Sequence, residues 1–184
     1  MKKIAFFTIL SIFAITNQLQ AQEPTKQETI DWIAGKFMDF GKTTFYLASK
    51  DASTTTTRSF KEREGNKIII IVTDHTIFKS PSSTSISISN ESIDLSRVTN
   101  VKVDDKGLFE IQGSNLTEYT YKDNRKEITS KLVISSPAFV YDGKSYPPSG
   151  YIDFLAEPNL RERMIKAFEN LAKFNNAEKP KEKY

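Results

Sequence analysis

Residues 159–174 read NLRERMIKAFENLAKF, the clearest helical pattern in a chain whose middle alternates like strands. Leu160, Met164, Ile165, Phe168, Leu171 and Ala172 fall on one apolar stripe. Glu162–Lys166 and Glu169–Lys173 are favourable i,i+4 pairs on the opposite side. Pro158 precedes the run, Asn159 is placed to cap it, and Glu162 follows at capping-box spacing. Asn175 and Asn176 can end it. A membrane-surface helix wants a strongly basic polar face. Here Arg161, Arg163, Lys166 and Lys173 are diluted by Glu162 and Glu169. The stripe therefore reads as a lid over the core of a β protein.

Upstream, from Lys42 to Ala156, the periodicity is two, with turn residues at short intervals. Strands are expected near 43–48, 54–61, 67–73, 75–79, 84–89, 92–95, 98–104, 107–113, 116–122, 127–135, 138–141 and 151–156, with some merging. Four consecutive isoleucines, Ile68 to Ile71, suit a strand buried on both faces. Ser85 to Ser89 alternates strictly, which predicts one buried face. Asp104-Asp105-Lys106-Gly107 and Asp142-Gly143 are tight-turn signals. No repeat of fixed period is present.

Ahead of the strands lies a second helical pattern. Thr25 and Glu28 have capping-box spacing, and Ile30, Ile33, Ala34, Phe37 and Met38 share one face. Gly41 suits a left-handed residue ending the helix. Trp32, the only tryptophan, points away from that stripe.

The first 21 residues have the layout of a secretory signal peptide: Lys2 and Lys3, a short apolar run from Ile4 to Ile15, a polar exit, then Ala21. The run is too short to span a bilayer, and no transmembrane segment is expected in the mature chain. Cleavage near Ala21 predicts an exported protein, periplasmic or secreted. Loss of Lys2 and Lys3 lowers the net charge from +3 to +1, so nothing calls for nucleic acid. The remaining residues are one domain's worth, read as a single β domain with flanking helices over 25–176. With no cysteine, its stability rests on packing, for which 13 phenylalanines and 7 tyrosines are available. Residues 177–184 read as a charged, disordered tail.

A run of antiparallel strands closed by one amphipathic helix resembles the pleckstrin-homology-like barrel. IDLSRVTNVKVDDKGLFEIQ (93–112) adds a short strand and a bend leading into a hairpin, and YIDFLAEPNLRERMIKAFENLAKF (151–174) a last strand feeding the helix. The chain is also similar to small uncharacterised exported proteins of Gram-negative bacteria. The resemblance covers roughly residues 25–176 and implies a mainly β (α+β) fold. That is an antiparallel bent sheet or small barrel, with an N-terminal helix and a C-terminal amphipathic capping helix. In lipid-binding members of that family, a basic loop between the first two strands holds inositol phosphates. SKDASTTTTRSFKEREGNK (49–67) mixes its basic residues with Asp51, Glu62 and Glu64, so that activity is not carried over.

Few chemistries are supported. His75 is the only histidine, which argues against an imidazole metal site, and cysteine sites are impossible. GKSYPPSG lacks the spacing of a nucleophile elbow. Asp104-Asp105 with Gly107 lacks the twelve-residue calcium loop pattern. No glycine-rich phosphate loop exists. No catalytic residue, metal or cofactor is expected. One feature stands out: VYDGKSYPPSGYIDF places Tyr141, Tyr146 and Tyr151 around Pro147-Pro148. Rigid tyrosines on a proline-stiffened loop suit a binding surface, and Trp32 can join them if the first helix packs nearby. A plain connector whose tyrosines lean on the barrel is the alternative. The resulting expectation is a non-catalytic exported binding module for an envelope or extracellular protein, its oligomeric state open. A small-ligand carrier or hydrolase with a site assembled from sequence-distant residues is the rival.

Overall fold

The computed structural model describes residues 23–136, 139–141, 144–146 and 149–178, those from 139 to 149 by backbone alone. The expected leader, the Asp142-Gly143 turn, Pro147, Pro148 and the tail from 179 lie outside the described residues.

Helix α1 (Lys26–Phe40) starts with the expected capping box: Thr25 Oγ1 accepts from Glu28 N at 3.2 Å, and Glu28 Oε2 accepts from Thr25 N at 2.8 Å. Ile30, Ile33, Ala34 and Phe37 are buried. Met38, at the edge of the stripe, is 62% exposed. Gly41 is not left-handed as expected; its φ is −81°. It is needed for a close approach, since a Cβ there would sit 2.2 Å from Phe37 O. The chain then turns straight into β1.

Among the described residues ten strands follow: β1 (Lys42–Ala48), β2 (Ala52–Glu64), β3 (Lys67–Lys79), β4 (Ser82–Asp94), β5 (Asn100–Val103), β6 (Phe109–Tyr121), β7 (Lys126–Ser136), β8 (Phe139–Tyr141), β9 (Lys144–Tyr146) and β10 (Ser149–Gly150). Three pairs of expected short strands merge into the long β3, β4 and β6. The main sheet is antiparallel, ordered β1-β2-β3-β4-β6-β7-β10, with β5 on the first half of β6. β8 and β9 form a separate hairpin. The sheet curls into a half-barrel flanked by the two helices, the mainly β fold that the patterning predicts. Its two edges meet at one point, where Thr43 Oγ1 donates to Gly150 O at 2.7 Å.

The closing helix α2 (Leu160–Ala177) buries Leu160, Met164, Phe168, Leu171 and Ala172 against the sheet. Phe168 meets Phe109 edge-on, ring centroids 5.8 Å apart. Asn175 does more than end the helix: its Nδ2 donates to Leu95 O and Val98 O at 3.0 and 2.7 Å, fastening α2 to a 3-10 turn, Leu95–Arg97. Two local expectations fail. Asn159 adopts φ 55° and makes no side-chain cap; Glu157 O accepts from Leu160 N instead. Residues 151–156 are bends, not a strand, because Asp153 Oδ1 accepts from Leu155 N and Asp153 O from Ala156 N.

The isoleucine run is buried on one face only. Ile68 and Ile70 lie in the core, while Ile69 and Ile71 are half-buried on the convex face, which carries no second layer among the described residues. Ser85–Ser89 departs in the same way: Ile86 and Ile88 are 65% and 51% exposed, because they share the parity of exposed Asn90 on the convex face while Ser89 takes the buried side.

Candidate functional site

A cleft of about 560 Å³ lies along the seam where the half-barrel stays open. β1 supplies Lys42, Thr43 and Phe45, and the ends of β7 and β10 supply Ser135 and Gly150. The bends before α2 supply Ile152, Asp153, Phe154 and Leu155, and α2 supplies Arg161. Leu155 is 96% exposed, an apolar side chain held at the rim by the turn around Asp153. Arg161 is steadied by donating to Gly107 O at 3.0 Å. Phe45, Ile152, Phe154 and Leu155 make an apolar wall, and Lys42 and Arg161 outweigh Asp153 in charge.

Behind Phe45 sits a buried polar cluster. Alternation along β2 brings Arg58 to the concave face, where its guanidinium lies 4.7 Å from the Phe45 ring centroid and 4.5 Å from that of Tyr151. Tyr151 donates to Glu91 Oε1 at 3.1 Å and shares a 3.2 Å hydrogen bond with Tyr119. Glu91 is fully buried on β4. Burial pushes its carboxyl above the usual carboxylate range, against the hydroxyls of Tyr119 and Tyr151 and the Arg58 charge. The Tyr119 and Tyr151 hydroxyls are likewise held well above the ordinary phenol range, first by burial and then by Glu91. Glu91 Oε2 and Arg58 Nε have no hydrogen-bond partner among the described residues. These groups hold a charge and its stacking partners in place.

A second groove, about 440 Å³, runs between the helices, lined by Trp32, Glu28, Thr29, Arg163, Lys166 and Asn170. The Trp32 ring lies under the Arg163 guanidinium at 5.3 Å and the Lys36 ammonium at 5.8 Å. Glu157 bonds both cations, Lys36 at 2.6 Å.

The residues expected to form one aromatic patch are thus distributed. Trp32 lines the inter-helix groove. Tyr151 is buried, stacked on Arg58 rather than offered to solvent. Tyr141 and Tyr146 lie on β8 and β9, a hairpin that leaves the main sheet next to Ser136 and Gly150 on the cleft wall. Pro147 and Pro148 fall outside the described residues. His75 stands exposed on the convex face, remote from the cleft. Arg58, Glu91 and the cleft residues did not stand out in the sequence. Glu91 carried a signal: it shares strand parity with Ile93, so a charge was due on a buried face. Comparison with protein-family models, with curated proteins and with solved structures finds no match.

Proposed function

We propose that this chain is a non-catalytic exported binding module of pleckstrin-homology-like architecture, and that the seam cleft is its ligand site. The observation that carries the reading is the cleft's composition. An apolar wall of Phe45, Ile152, Phe154 and Leu155 stands beside Lys42 and Arg161, with the stacked Arg58 behind. Such a surface fits a molecule with an apolar body and an anionic end, from the envelope or the extracellular space. Asp153 is the one carboxylate among the described lining residues, and His75 is remote. This favours binding over hydrolysis, and it brings the module and small-ligand-carrier readings onto one site.

The test is titration of the purified protein with dodecanoate, dodecanol and dodecyltrimethylammonium. Dodecanoate should bind at least ~10-fold more tightly than the other two. Lys42→Glu/Arg161→Glu should erase that preference while leaving the melting temperature in place. Equal binding of all three, or none, overturns the anionic-ligand reading.

A further inference from the structure

Among the described residues, the outer half of β4 is an edge with no second neighbour. β3 pairs with all of β4 without a register shift, from Lys79↔Ser82 to Lys67↔Asp94. On the other side β6 joins only at Ser89, and pairing runs Ser89↔Tyr121 to Ile93↔Thr117. Among the described residues nothing pairs with the second side of Ser82–Ile88. Along that stretch alternate residues turn their backbone N–H and C=O outward in ladder geometry.

Proteins blunt such edges with lysine, proline within the strand, a bulge or an inward charge. None is used here. Ser80 to Asn90 contains no charged residue, and Pro81 lies in the turn ahead of the strand. Ile86 and Ile88 stand exposed on the convex face. Across the strands, Ile86 lies in register with His75, Thr55 and the exposed Tyr46, and Ile77 stands one step along the same face. The open edge and the apolar surface are thus continuous.

We infer that this edge is a dimer interface, and that its occupant is the same segment of a second copy. Ser85 is the middle residue of the window Ser82 to Ile88. An antiparallel two-fold through Ser85 pairs every residue in it, with Ile86 opposite Thr84 of the second copy and Ile88 opposite Ser82. The two Ile86 side chains then become diagonal neighbours on one face. The window is uncharged, so self-pairing sets no like charges opposite each other, which a lysine-bearing edge would do. Each copy uses the same surface, so the contact closes at two and does not propagate. The result is one sheet running through both copies, with its apolar convex strip doubled in length.

The test is sedimentation equilibrium of the purified protein from low micromolar to millimolar concentration. A monomer–dimer equilibrium is expected. Ile86→Lys should weaken dimerisation at least ~10-fold, with an unchanged melting temperature at concentrations where the protein is monomeric. Ile128 is also exposed (57%) and lies on the same convex face, two strands from β4. Ile128→Lys should leave the equilibrium alone. A monomer at every concentration, equal loss in both variants, or assemblies larger than two would overturn the proposal.

Discussion

The long hairpin of β3 and β4 contains two halves built alike and treated differently. In the inner half, Ile68, Ile70 and Val72 face Ile93, Glu91 and Ser89 across the strands, and all six are buried. In the outer half, Asp74, Thr76 and Phe78 continue the same face opposite Ser87, Ser85 and Ser83, and none is buried. Alternation is intact throughout. What differs is cover: α1 and α2 lie over the inner half and do not reach the outer. Periodicity reports which side chains share a face; whether that face meets a second layer is decided elsewhere in the chain.

The largest effect should come from removing the cover. Phe168, on the core side of α2, is fully buried, and Phe168→Asp would place an unpaired charge there. A loss of more than about 4 kcal/mol is expected, enough to unfold a marginal domain. Retention of a cooperative thermal transition would mean that α2 is not part of the core. The halves can then be compared directly. Ile70→Ala should cost about 2–5 kcal/mol and Ile86→Ala less than about 0.5 kcal/mol in denaturant unfolding of the monomer. Equal costs would show that the outer half is covered in solution.

Much of this was legible because local rules carry it. The Thr25 box, both apolar stripes and the long run of strands follow from spacing alone. The misses have a common cause in three dimensions. Four isoleucines in a row look doubly buried, yet the convex face has no layer to bury Ile69 and Ile71. Ser85–Ser89 shows the period of a half-buried strand, but its isoleucines take the convex side and its serines the concave one. The 151–156 stretch has strand composition, but Asp153 offers the backbone a local turn. The cleft was not legible, since its walls come from β1, β7, β10 and α2 and meet only when the sheet curls.

Glu91 lies within the covered half, one buried pair in from its outer end, and it sharpens the comparison by titration. Burial raises its folded-state pKa above the ordinary value of 4.5. A raised acid favours the protonated form in the fold. Its contribution is therefore full below pH 4.5 and is lost as pH rises through the folded pKa. Wild type should lose stability relative to Glu91→Gln across that window, so the variant should melt higher at neutral pH. The hydrogen bond from Tyr151 survives the change, because the carbonyl oxygen of the introduced amide still accepts. Melting temperatures measured from about pH 4 to pH 8 decide it. Parallel curves for the two proteins would mean that Glu91 is solvated and that the covered half ends before β4 reaches it.

The smallest effect separates the starts of the two covering helices. Both sequences carry the letters of a capping box, Thr25 with Glu28 and Asn159 with Glu162. Only the first forms one. Thr25 Oγ1 satisfies an N–H that the helix leaves unpaired, so Thr25→Ala should cost about 1 kcal/mol. Asn159 is left-handed and its side chain caps nothing, so no hydrogen bond is lost with it. Asn159→Gly keeps the positive φ accessible and should shift stability by less than about 0.5 kcal/mol. Denaturant midpoints of the two variants check the contrast. A loss at Asn159→Gly as large as that at Thr25→Ala would show that the Asn159 side chain does cap α2 in solution, and that the cover over the inner half is anchored at both helix starts.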